Sequence, residues 1–64
     1  MFNNDLLEKL FRRSGLSQSA IGRKFSVSEG AVRYWLKEKK TPKLDTLARI
    51  ARHFNKRIDD FFIK

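Results

Sequence analysis

Apolar residues recur at helical spacing along the whole chain. Leu6, Leu7, Leu10 and Phe11 share one face of a first helix. Asp5, with Glu8 three residues later, reads as a capping box at its start. Gly15, after Arg12, Arg13 and Ser14, is placed for a left-handed stop. Ser17 suits the N-cap of a second helix, whose buried side carries Ala20, Ile21 and Phe25. Leu16 and Ile21 have the spacing of a hydrophobic staple, and this helix ends near Phe25 and Ser26. Ser28 is the next N-cap, Val27 and Val32 repeat the staple spacing, and the third helix runs to about Lys37. Two capped helices are thus joined by about three residues, the geometry of a helix-turn-helix. Pro42 punctuates a loop over residues 38–43. A fourth helix carries Leu44, Leu47, Ala48, Ala51 and Phe54 on one side, with Asn55 suited to its C-terminal turn. A short final helix carries Ile58, Phe61 and Phe62. The expected fold is all-α: about five short helices in a compact bundle, one domain over residues 1–64.

The length supports no more than one domain, with a core small enough that packing must be efficient. There is no cysteine, so neither a disulfide nor a thiolate metal site is available. No apolar run approaches the ~20 residues of a membrane span, and no signal-peptide pattern is present, so a cytoplasmic location is expected. Fifteen Lys and Arg against seven Asp and Glu give a net charge of +8. A small basic domain points to a polyanion, most often nucleic acid.

The third helix can be divided into arcs at about 100° per residue. Val32, Trp35 and Leu36 fall within one arc, closed at its start by Ser28. Gly30, Arg33, Tyr34 and Lys37 fall opposite, with Glu29 and Ala31 at the borders. The first arc docks the helix, which makes Trp35 a core residue rather than a base-stacking one. The second arc faces out.

Several segments together resemble the Cro/phage-repressor helix-turn-helix family. They are Leu16-Ser17-Gln18, Ile21-Gly22, Val27-Ser28, Val32, Trp35 and Pro42, then the run from Leu47 through Asn55, then Asp59-Asp60-Phe61-Phe62. The resemblance spans nearly the whole chain and rests on joint order and spacing. It implies a helical bundle that binds specific double-stranded DNA, as a Cro-like repressor acting in a bacterial host cell. The DNA would be a near-palindromic operator bound by a homodimer, which can be weak and assisted by DNA. The chain departs from the family pattern at three places. Ser26 stands where the family usually has Gly in the turn. Leu36 and Phe11 stand where many members have an ion pair, which reads as a coupled swap to an apolar contact. Glu38 replaces a common Gly in the following loop.

The resemblance places base contacts on Glu29, Gly30, Arg33 and Tyr34, with Ala31 beside them. Arg33 can donate a bidentate pair to guanine O6 and N7. Glu29 can accept from cytosine N4, or can instead orient Arg33 through an i,i+4 ion pair. Gly30 either lets the helix approach the bases closely or is a neutral change, at a cost of about 1 kcal/mol against Ala. Tyr34 can pack on a thymine methyl, bond a phosphate or lie flat on the helix. Gln18 sits at the groove edge in the family, with Ser17 and Ser19 able to assist on phosphates. Lys37, Lys39, Lys40 and Lys43 surround the loop after the third helix. Between residues 33 and 43 there are five positive charges and one negative. That loop reads as a phosphate clamp or as a solvated charge run.

No catalytic set is legible. There is one His and no Cys, and no phosphate-binding glycine loop. His53 reads as a surface helix position, and Asp59 and Asp60 as capping residues of the final helix. No enzyme activity, cofactor or metal is expected. Phe61, Phe62 and Ile63 are more apolar surface than a terminal helix should expose, so they are expected partly to fill the core and partly to form a two-fold contact. If they pair as a strand instead, the fold is α+β at that end. Two other readings stay open on the same scaffold: a controller or antitoxin DNA-binding protein, and a protein- or RNA-binding module.

Overall fold

The computed structural model describes residues 1–62. They form four α-helices, α1 (Asn4–Ser14), α2 (Gln18–Lys24), α3 (Glu29–Lys37) and α4 (Leu44–His53), and a closing 3-10 turn (Ile58–Phe61). The architecture is all-helical, as the spacing predicts. There is no strand among the described residues, only a single antiparallel bridge between Phe2 and Phe62.

The helix limits follow from side chains that satisfy the free backbone groups. Ser17 and Ser28 cap α2 and α3, their hydroxyl oxygens accepting from the Ala20 and Ala31 N–H at 3.1 and 3.0 Å. At the start of α1 the cap is Asn3, whose side-chain Oδ1 accepts from Leu6 N–H at 3.1 Å. The expected box from Asp5 and Glu8 does not form: Asp5 is inside the first turn, and Glu8 pairs instead with Arg12 at 3.2 Å. Gly15 takes the left-handed conformation (φ 73°) and stops α1, as expected.

The turn between α2 and α3 is a Schellman motif. Val27 N–H donates to Gly22 C=O at 2.8 Å and Ser26 N–H to Arg23 C=O at 3.4 Å, with Ser26 at φ 59°. A serine thus occupies the left-handed position that glycine adopts without strain. Asn55 repeats the device after α4. It has φ 57°, and Lys56 N–H and Asn55 N–H donate to Ala51 and Arg52 carbonyls at 2.7 and 3.1 Å. In the loop of residues 38–43 the left-handed residue is Lys39 (φ 58°), next to Glu38.

The core draws on every element. Leu7, Leu10 and Phe11 come from α1, Ile21 from α2, and Val32 and Trp35 from α3. Leu47, Ile50 and Ala51 come from α4, with Phe2, Phe25 and Phe61 closing the cluster. Burying one such large side chain stabilises the fold by about 1.5–3 kcal/mol, against about 0.3–0.5 for an exposed i,i+4 ion pair. Core packing therefore decides how the helices sit. Phe11 stacks on Phe25 and tilts against Phe54, with centroids 6.2 and 6.1 Å away. It is a central core residue, and it lines the same groove, between α1, α2 and α3, as half-buried Leu36. Leu16 lines that same groove with Ile21 and stays 39% exposed.

The C-terminal end differs most from the sequence reading. Ile58 and Phe61 lie on a 3-10 turn rather than an α-helix, and Phe62 is extended beyond it. The i,i+3 spacing of Ile58 and Phe61 satisfies a three-residue period as well as a 3.6-residue one. Asp60 does cap this turn, its carboxylate accepting from Arg57 N–H at 2.9 Å. Phe61 is fully buried in the chain's own core, so it is not free to form a two-fold surface contact. Phe62 remains 40% exposed, and Ile63 lies outside the described residues.

Candidate nucleic-acid interface

The α2–α3 unit is held together by a close backbone approach at Gly22. A Cβ built there would lie 2.7 Å from Val27 C=O and 3.3 Å from Glu29 N. Only glycine lets α2 meet the start of α3 at this distance. The Schellman bond from Val27 to Gly22 C=O fixes the same spot, so the angle between the helices is set by two local features.

With α3 docked through Val32 and Trp35, its other side is open. Glu29, Gly30, Arg33, Tyr34 and Lys37 are all exposed. Gly30, Arg33, Tyr34 and Lys37 line one shallow depression with Glu38. A Cβ at Gly30 would find only Ser28 Oγ, at 3.8 Å, so no packing in the chain requires glycine there. Arg33 Nη2 pairs with Glu29 Oε2 at 3.4 Å, both side chains half-exposed or more. Ala31 is half-buried against the core, at the border of the open face.

Two grooves flank this face. On one side a groove is lined by Gln18, Arg33 and Lys37, together with Glu8, Arg12 and Leu36. On the other side a groove is lined by Ser28, Ala31 and Tyr34, together with Thr41, Lys43, Asp45 and Arg49. Ser17, Ser19 and Lys40 are exposed but line neither groove. Lys39 is set apart in a hollow with residues 1–5.

The loop that carries these lysines is tethered from the far end of the sequence. Asn4 Nδ2 donates to Trp35 C=O at 3.2 Å and to Lys40 C=O at 3.1 Å. The partners are backbone carbonyls more than thirty residues away, so no sequence pattern marks this contact. Arg49 and Thr41 were also missed. Arg49 reads in sequence only as a polar position on the outer face of α4.

Among the described residues no group of three or more His, Cys, Asp or Glu is placed to hold a metal ion. None of their helices is long and apolar enough to cross a membrane.

A tight, serine-capped helix pair that presents a basic, open second helix defines a small DNA-binding helical module. The family comparison agrees: the helix-turn-helix family profile matches residues 7–61, and the chain belongs to that family of DNA-binding regulators. The comparisons with curated proteins and with solved structures give no match.

Proposed function

We propose that residues 1–64 act as one Cro-like transcriptional repressor domain that inserts α3 into the major groove of a near-palindromic operator. The observation that supports this most is the open face of α3. It combines a forked donor (Arg33), an acceptor (Glu29), a bare backbone (Gly30) and a cation (Lys37) on a helix whose other side is locked into the core. Arg33 reads guanine, and Glu29 holds Arg33 in register while its second oxygen is free to accept from cytosine. Gly30 sets the approach distance, and Tyr34 with half-buried Ala31 borders the read bases. Gln18, with Ser17 and Ser19, contacts phosphate on one flank. Lys37 joins them on that flank, Lys43 contacts phosphate on the other, and Lys39 and Lys40 reach it from the loop between α3 and α4. No metal or cofactor takes part in this reading.

A homodimer on two half-sites explains a near-palindromic target, and its α3 helices would be spaced about 34 Å apart. Its two-fold contact excludes the buried Phe61. Selection of bound duplexes from a random pool tests the whole reading. The expected product is two inverted half-sites at that spacing. Recovery of no preferred sequence would refute it. Arg33→Ala should then lose affinity on the selected site and not on random duplex, whereas Lys40→Ala should weaken both alike.

A further inference from the structure

The basic surface does not end at Lys43. Arg49 lines the groove beside α3 that holds Tyr34 and Lys43, and it also lines a second groove with Lys24, Arg52 and His53. The two openings therefore meet at Arg49, and cations run without a break from the open face of α3 onto α4 and the end of α2. No acidic residue lines the second groove. Asp45 lines the first, but its carboxylate accepts from Thr46 N–H at 2.8 Å at the start of α4.

Like most cations among the described residues, these carry no ion pair that would hold them to the protein. Among the described residues, ion pairs form at Arg12 and Arg33, and none forms at Lys24, Arg49 or Arg52. Arg49 and Arg52 are also three residues apart on one helix, where like charges weaken the helix. Arg52 and Lys24 lie in the last turns of their helices, where a cation favours the helix dipole, but Arg49 does not, and the unbroken run of cations across both grooves is what a polyanion laid across the surface would meet.

We propose that Arg49, Arg52 and Lys24 form a second backbone-binding surface for the same DNA, continuous with the one that begins at Lys43. The inference rests on the DNA-binding reading of α3. The occupant is a row of duplex phosphates: each phosphate neutralised releases condensed counterions, so every added contact steepens the salt dependence of binding. The surface adds affinity and carries no sequence preference.

The test uses the full chain and a random-sequence duplex that exceeds the 31 Å length of the molecule by about one helical turn, about 34 Å, on each side. Affinity is measured over a series of salt concentrations for the unmodified chain, for R49Q with R52Q, and for R49K with R52K. Each lost contact should lower the slope of log affinity against log salt by about 0.9, so the Gln pair should lose close to two units. The Lys pair should keep the slope, because a point charge suffices for a phosphate. Thermal melting of the Gln pair should stay within a few degrees of the unmodified chain, since relieved repulsion and the lost cation at the end of α4 oppose each other. A Gln pair with an unchanged slope, on DNA that the unmodified chain binds, would overturn the inference and leave the surface to an acidic protein partner. Failure of the unmodified chain to bind any duplex would instead bring down the DNA-binding reading together with this one.

Discussion

Gly22 and Gly30 carry the same absent side chain for opposite reasons, and the contrast is measurable. At Gly22 an added methyl would sit 2.7 Å from a backbone carbonyl that belongs to the turn itself and cannot move without opening it. Overpacking of this kind costs about 1–3 kcal/mol, only part of which the ~1 kcal/mol helix preference of Ala over Gly offsets. Gly22→Ala should therefore lower the melting temperature by several degrees, at roughly 4–8 °C per kcal/mol for a domain this small. At Gly30 the space is open, so the helix preference acts alone. Gly30→Ala should raise stability by up to about 1 kcal/mol and yet weaken binding to the selected operator. A variant at Gly30 that is more stable and binds unchanged would reduce that glycine to neutral drift. The sequence separates neither case, since both are glycines within or beside helical patterns.

At the scale of elements, the loop of residues 38–43 has few means of holding itself. It has Lys39 in the left-handed region and a buried Pro42, and Asn4 ties it down from α1 by two hydrogen bonds to Trp35 and Lys40 carbonyls. Asn4→Ala removes both donors. The expected result is a loss of about 1–2 kcal/mol in stability, from about 1 kcal/mol per hydrogen bond. DNA binding should weaken by a similar factor on every sequence if the loop acts, as proposed, on phosphates and not on bases. A variant that lost sequence preference instead would place Asn4 in the base-reading machinery. The elements themselves were largely legible. Ser17 and Ser28 stand directly before apolar periodic runs and made the α2–α3 pair visible, and the arcs of α3 separated Trp35 from Arg33 correctly. The errors share a physical cause. Asn3 against Asp5 as the cap, and a 3-10 against an α turn at Ile58–Phe61, are choices between local options of similar energy that tertiary contacts decide. Asn4 and Arg49 were invisible because their roles depend on what the fold brings beside them.

The two ends of the described chain meet, and this sets the stability of the whole molecule. Phe2 stacks on Phe61 at 6.0 Å and meets Phe62 edge-on at 5.7 Å, while Asn3 N–H donates to Phe61 C=O at 2.6 Å. A ring that is 8% exposed, contributed by the second residue, thus closes the same core that α3 docks on. Truncating a buried Phe to Ala costs about 3–5 kcal/mol, a large share of the ~5 kcal/mol expected for a core of this size. Phe2→Ala should therefore be partly unfolded near room temperature, with a melting transition lowered by well over 10 °C. Phe2 does not line the open face of α3, so the folded fraction should keep its sequence preference. DNA that binds only the folded state stabilises it by mass action, by about 2.7 kcal/mol at one hundred times the dissociation constant. Selected operator should thus restore most of the lost helical signal of Phe2→Ala, and an equal mass of random duplex should restore less. If the selected operator restored no signal at a concentration that saturates the unmodified chain, the aromatic closure of the ends would belong to the binding surface itself rather than to the stability of the fold behind it.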